Sequence, residues 1–208
     1  MIRLALPKGR NLAPSLAAFR AAGIALRDFD AEGRRLRQRF PDEGLEVLLL
    51  KDWDLPVYVE YGVADWGVVG SDVLGETGAD LLRPVALAAG RSRLSLVGLP
   101  GAMPAPGSQV RLATKYVVGA HRYLSGAPFS AEVMRLAGSV ELAPLLDLAD
   151  VAVDIVQSGR TIREHGLVEL ETIEPVAPCV VVNRAAYLEH RRRINEWLAA
   201  MERVEVAV

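Results

Sequence analysis

Apolar runs of four to seven residues alternate along the chain with stretches whose apolar positions recur at helical spacing. That pattern predicts an α/β protein with a largely buried sheet. The first strand falls on residues 2–6. A helix begins at Asn11, with Leu12, Leu16 and Phe19 on one face, and stops near Gly23, a good C-cap residue. Residues 45–50 read as a second strand, followed by a short helix with Asp54 as N-cap, Pro56 in its first turn and Gly62 at its end. Further strands are predicted over 66–69, 81–87, 94–99 and 110–113, and the Pro/Gly-rich stretch 100–107 is a loop. The second half repeats the alternation: a strand at 132–136, a helical stretch at 140–148, and an apolar strand at 151–156 that carries one acid, Asp154. A helix opens over 161–165, strands follow at 168–173 and 180–182, and a last helix places Tyr187, Ile194, Leu198 and Met201 on one face.

With 208 residues and about 150 per domain, one large or two small domains fit. Hydrophobic residues make up 51% and charged residues 24%, which excludes a largely disordered chain. Lys and Arg number 24 against 26 Asp and Glu, a net charge of −2, so no nucleic-acid partner is expected and any anion site must be local. The lone Cys179 rules out intramolecular disulfides and multi-cysteine zinc ribbons, and with three histidines no zinc chemistry and no metal-ligand set is expected. Pro7 to Arg10 interrupt the start before any signal-peptide core forms, and no apolar run approaches a membrane span. The expectation is a cytoplasmic chain with no membrane partner.

The most informative segment runs Val151-Ala-Val-Asp-Ile-Val-Gln-Ser-Gly-Arg-Thr-Ile-Arg-Glu-His-Gly166. A buried strand delivers Asp154, and the turn Ser158, Gly159, Arg160, Thr161 leads into a helix whose unpaired N–H groups suit a phosphate. Gly159 lets the backbone approach an anion, Ser158 and Thr161 add hydroxyl donors, and Arg160 adds charge. Two readings of this turn stand: a phosphate site, or a plain strand-to-helix turn capped by its hydroxyls. It matches neither the Walker loop nor the dinucleotide fingerprint.

Five blocks occur in order across nearly the whole chain: Leu4-Ala-Leu-Pro-Lys-Gly-Arg10; Asp54-Leu-Pro-Val-Tyr-Val-Glu-Tyr-Gly-Val-Ala-Asp65 running on to Gly70-Ser-Asp-Val-Leu74; Arg111-Leu-Ala-Thr-Lys-Tyr116; Gly138-Ser-Val-Glu-Leu-Ala-Pro144; and Asp154-Ile-Val-Gln-Ser-Gly-Arg-Thr161. Together they resemble ATP phosphoribosyltransferase. The resemblance implies transfer of the 5-phosphoribosyl group of phosphoribosyl pyrophosphate to N1 of ATP, with Mg2+ bound mainly through substrate phosphates. It implies two periplasmic-binding-protein-like α/β lobes with the active cleft between them, one over residues 1–90 plus 178–208 and one over 91–177 carrying the phosphoribosyl loop. A chain ending at Val208 resembles the family's short form. Its members work with a regulatory subunit resembling histidyl-tRNA synthetase, so a homodimer within a larger hetero-oligomer is expected.

The same resemblance assigns residues. Lys8 and Arg10, flanking Gly9, become substrate cations, and with Arg34, placed on pyrophosphate, they are the expected catalytic set. Asp154 falls on the ribose hydroxyls, and Ser158, Gly159, Arg160 and Thr161 on the 5-phosphate. Lys51 matches a basic residue before the Asp-x-Pro block. Arg91 and Arg93 flank Ser92 where the family often shows Gly-Lys-Cys-Arg. Thr114 and Lys115 end a strand, and Lys115 reads equally as a phosphate contact or a snorkelling strand-end lysine. Glu141 reads equally as a first-turn acid or a contact to ribose or magnesium-bound water. Arg35, Arg37 and Arg39 and residues 191–193 are expected on solvated faces, and His121, His165 and His190 outside the chemistry. No general base is expected, because adenine N1 attacks with a lone pair. Two other readings compete: a solute-binding module, which shares the two-lobed fold, and a single-lobed phosphoribosyltransferase, which usually presents paired acids where Val153 and Ile155 flank Asp154.

Overall fold

The computed structural model describes residues 1–31 and 35–205, which divide into two compact units, Met1–Gly90 with Ala177–Val208, and Arg91–Val176. In the first unit, β1 (Ile2–Pro7), β2 (Arg37–Phe40), β3 (Leu45–Leu50), β4 (Trp66–Gly70), β5 (Leu82–Ala86) and β11 (Pro178–Val182) form one sheet in the order β2-β3-β1-β4-β11-β5. β1 runs parallel to both β3 and β4, while β2 and β11 run antiparallel to their neighbours. The helices are α1 (Leu12–Ala21), α2 (Leu55–Glu60), α3 (Ser71–Thr77) and α7 (Arg184–Glu205).

Apolar side chains on both faces of the central strands explain the uninterrupted hydrophobic runs. Leu4, Leu6, Val47, Leu49, Trp66 and Val68 face one core with Phe19 of α1 and Ile194 and Leu198 of α7. Ala5, Val69 and Val181 face a second core with Leu55, Val59, Val73 and Leu74. Trp66 stacks on Trp197 (4.9 Å, 6° between planes) and meets Phe19 edge-on at 4.9 Å.

Three departures from the sequence reading are local. Arg37 and Arg39 do not simply face solvent: they lie on β2, and their Nε atoms donate to one oxygen of Glu46, 3% exposed on β3, at 2.6 and 2.8 Å. Those bonds, first from Arg37 and then from Arg39, hold the Glu46 carboxyl below its ordinary range despite burial. Arg193 likewise leaves the solvated face, lying 4.6 Å over the Trp197 ring and donating to the Glu43 carbonyl. Asp54 does occupy the N-cap of α2, but its side chain makes no capping bond.

The second unit holds β6 (Ser92–Gly98), β7 (Gln109–Thr114), β8 (Ser130–Arg135), β9 (Val151–Val156) and β10 (Val168–Val176) in the order β10-β6-β9-β7-β8. β9, β7 and β8 are parallel neighbours, and β6 is antiparallel to β9 and to β10. Its helices are α4 (Val117–Leu124), α5 (Leu142–Leu145) and α6 (Arg160–Glu164). The predicted helix over 140–148 shrinks to the four residues of α5 because Ser139 (φ 49°) and Asp147 (φ 57°) turn left-handed on either side. Ala113, Val97, Ala152 and Val156 pack with Val140, Ala143, Ile162 and Leu167 in this unit's core.

Candidate active site

Loops after the carboxyl ends of parallel strands are where α/β sheets present groups to ligands. In the first unit, β1, β3 and β4 bring three such loops to one edge: Lys8 to Asn11, Lys51 to Trp53, and Ser71 with Asp72. Gly9 turns the first loop with φ 85°, and the Lys8 N–H donates to the Leu50 carbonyl at 2.8 Å. Arg10 Nη2 donates to Asp72 Oδ2 at 3.0 Å, and Asn11 Nδ2 to Asp52 Oδ2 at 3.4 Å. The Asp72 side chain is 1% exposed, while that of Arg10 is 34% exposed, so a buried carboxylate aims a guanidinium that still reaches solvent. Asp72 Oδ1 has no hydrogen-bond partner among the described residues and lies 2.1 Å from where a Cβ on Gly70 would sit. Glycine at 70 is therefore what lets the carboxylate occupy its place. Lys8 and Lys51 are exposed at this edge. Asp65, in the same sequence block, is structural: its carboxylate accepts from the Arg3 N–H at 2.6 Å.

In the second unit, β9, β7 and β8 do the same with the turns after Val156, Thr114 and Arg135. Asp154 is half-buried on β9, opposite Ser95 of β6, with Oδ1 accepting from the Ile155 N–H at 2.8 Å. Gly159 is left-handed (φ 70°). The Arg160 N–H donates to Ser158 Oγ at 3.3 Å, its Nε to Glu164 at 2.7 Å, and Thr161 is exposed in the first turn of α6. Arg163 Nη2 donates to the Ser158 carbonyl at 3.0 Å, and Arg93 Nη1 to the Gln157 carbonyl at 3.3 Å.

Arg93 also forks onto Glu169, Nε to Oε1 at 2.5 Å and Nη2 to Oε2. Ser95 Oγ and Thr172 Oγ1 donate to the same Oε1 at 2.8 Å each. Hydrogen bonding to Arg93 holds the Glu169 carboxyl down at about 2, against the opposing effect of burial. Thr114 is fully buried, its hydroxyl donating to the Val153 carbonyl (2.7 Å) and accepting from the Tyr116 N–H (2.8 Å), so it braces the turn that carries Lys115. Glu141 is half-buried at the N-cap of α5, with no capping bond from its side chain, and Arg91 is exposed at the start of the unit. Arg34 lies outside the described residues.

The family model described as HisG: ATP phosphoribosyltransferase matches residues 51–203. The chain belongs to the ATP phosphoribosyltransferase family. It is a pentosyltransferase that moves the 5-phosphoribosyl group of phosphoribosyl pyrophosphate to N1 of ATP and releases pyrophosphate, the first step of histidine biosynthesis. An ATP phosphoribosyltransferase of Syntrophotalea carbinolica is 40% identical over 98% of this chain and 94% of its own, and one of Thermococcus gammatolerans 43% identical over 98% of both. Among solved structures, the ATP phosphoribosyl transferase (HisG:HisZ) complex from Thermotoga maritima gives a chain with a TM-score of 0.81 and 32% identity over 100% of both chains. The periplasmic aliphatic sulphonate binding protein SsuA of Escherichia coli shares the fold, with a TM-score of 0.65 at 12% identity over 98% of this chain and 72% of its own. The likeness to SsuA is one of architecture, and the family is that of an enzyme.

Sequence reasoning did not single out Asp72, Asn11, Arg163 or Glu169. Asp72 lay within a family block, two residues past Gly70, and Arg163 one helical turn past Gly159. Glu169 carried no local signal, because its partner Arg93 is 76 residues away.

Proposed function

We propose that the phosphoribosyl pyrophosphate site of this transferase is built on residues 154–161, with Asp154 on the ribose hydroxyls and the Ser158 to Thr161 turn on the 5-phosphate. One observation carries the reading: a half-buried carboxylate near the end of a parallel strand is followed, within five residues, by a left-handed glycine between Ser158 and two further polar residues. Lys8 and Arg10, with Arg34, supply cations for charge gathering on the departing pyrophosphate as adenine N1 attacks the anomeric carbon. The attacking nitrogen uses a lone pair, so positioning and leaving-group stabilisation carry the rate rather than a base. Lys51 follows β3 in the first unit, while in the second Lys115 follows β7, Arg91 precedes β6 and Glu141 stands at the N-cap of α5, and in this reading each adds a secondary contact. In this reading magnesium arrives on the substrate phosphates and offsets their charge. Among the described residues no helix is long and apolar enough to cross a membrane.

We further propose that the chain is a short-form catalytic subunit working with a HisZ-type regulatory subunit, as its structural neighbour does. Mass spectrometry of the chain with ATP, phosphoribosyl pyrophosphate and magnesium, with and without that subunit, tests the second proposal. The expected product is ATP plus one phosphoribosyl group. Asp154→Asn is expected to keep the melting temperature and raise the KM for phosphoribosyl pyrophosphate about tenfold, as loss of charged hydrogen bonds does. Unchanged kinetics would remove Asp154 from the site, and full activity without the subunit would remove the partner requirement.

A further inference from the structure

We propose that Arg93 and Arg163 serve the reaction by clamping the backbone of the turn at residues 157–159, that Glu169 fixes Arg93 for this task, and that none of the three touches substrate. The proposal rests on the reading of residues 154–161 as the phosphoribosyl site and adds the residues that shape it. In a trans peptide the carbonyl and the following N–H point in opposite directions. Arg93 Nη1 holds the Gln157 carbonyl at 3.3 Å and Arg163 Nη2 holds the Ser158 carbonyl at 3.0 Å. Two successive carbonyls are thus pulled toward guanidinium groups, which turns the N–H groups of Ser158 and Gly159 away from them. Successive backbone N–H groups fixed in that way, one of them on a left-handed residue, form a concavity that suits an anion.

The surroundings of Arg93 argue against its being a substrate ligand itself. Its Nε and Nη2 face Glu169, which accepts both and is in turn fixed by Ser95 and Thr172. Only the Nη1 side is turned to the loop. Register explains the reach: Arg93 of β6 stands opposite Val156, the residue before Gln157, and β10, which carries Glu169, pairs with the other edge of β6. Arg163 sits equally close, with Nη1 2.7 Å from where a Cβ on Gly159 would be, so any side chain at 159 would push the guanidinium off the loop.

The test compares Arg93→Ala, Arg93→Lys, Arg163→Ala, Glu169→Gln and the double Arg93→Ala/Glu169→Gln with two loop variants, Ser158→Ala and Thr161→Val, in the assembly that gives wild-type turnover. Each clamp variant is expected to raise the KM for phosphoribosyl pyrophosphate about tenfold or more, while the KM for ATP stays within about twofold. Arg93→Lys recovers part of the loss, because it keeps a donor but not the fork. The double variant is no worse than Arg93→Ala alone, as for residues acting as one unit. Glu169→Gln decides the matter even if Arg93→Ala fails to fold: a substrate-contacting Arg93 would be released by this change and would bind as well or better, which overturns the clamp. If the loop variants raise the KM and the clamp variants do not, the clamp is wrong and the phosphoribosyl site stands. If neither set moves it, both are wrong.

Discussion

Glu169 and Asp72 are carboxylates whose partners lie 76 and 62 residues away, and each gives a measurement at the scale of one side chain. Glu169 is depressed from 4.5 to about 2 by its bonds to Arg93, so its ionised form favours the folded state. That contribution is fully present above about 4.5 and is lost as pH falls toward about 2. Glu169→Gln should therefore lower the melting temperature at pH 7, and the gap to wild type should close across that acid window. Asp72 gives a kinetic counterpart. A Cβ at position 70 would fall 2.1 Å from Asp72 Oδ1, so Gly70→Ala must displace the carboxylate that aims Arg10. With Arg10 in the proposed catalytic set, the expected result is a roughly 10- to 100-fold lower kcat/KM with the circular dichroism spectrum retained. Asp154 and its turn were legible in the sequence because they are consecutive. Asp72, Arg163 and Glu169 were not, since what recommends them is a partner brought near by folding.

Elements were legible in proportion to how far burial alone decides them. β1, β3, β4 and β9 are nearly all apolar and announce themselves, whereas β2, with the sequence Arg-Gln-Arg-Phe, has no apolar run and shows itself only in its pairing with β3, where Glu46 receives two arginines. Glu46→Ala should loosen that edge selectively. The arginines are 59% and 60% exposed, so the loss should be modest. Hydrogen exchange should show the amides of β2 opening while those of β1 stay protected. α7 behaves oppositely: its apolar stripe was plain, but the part played by its arginines was not, because Arg193 uses its charge against the face of Trp197. Trp197→Ala removes the stack on Trp66 and the seat of Arg193 together, and urea unfolding should show a loss of about 3 kcal/mol.

At the scale of the molecule, the alternation of strand and helix made an α/β chain legible, while the order of strands in each sheet was not, since it depends on which buried run pairs with which. The last strand shows this best. β11 lies between β4 and β5 although residues 91–176 separate it from both in the chain. The second unit is one continuous stretch, but the first is written in two pieces, and its sheet stays split until residues 178–182 arrive. During synthesis from the N-terminus, at about 5–20 residues per second, the stretch that begins later has all its strands about a second before the stretch that began first. Birth order and completion order are reversed in this protein. A chain cut just past residue 176 would carry every strand of the second unit but an incomplete first one, with the backbone edges of β4 and β5 lacking the strand that pairs with both.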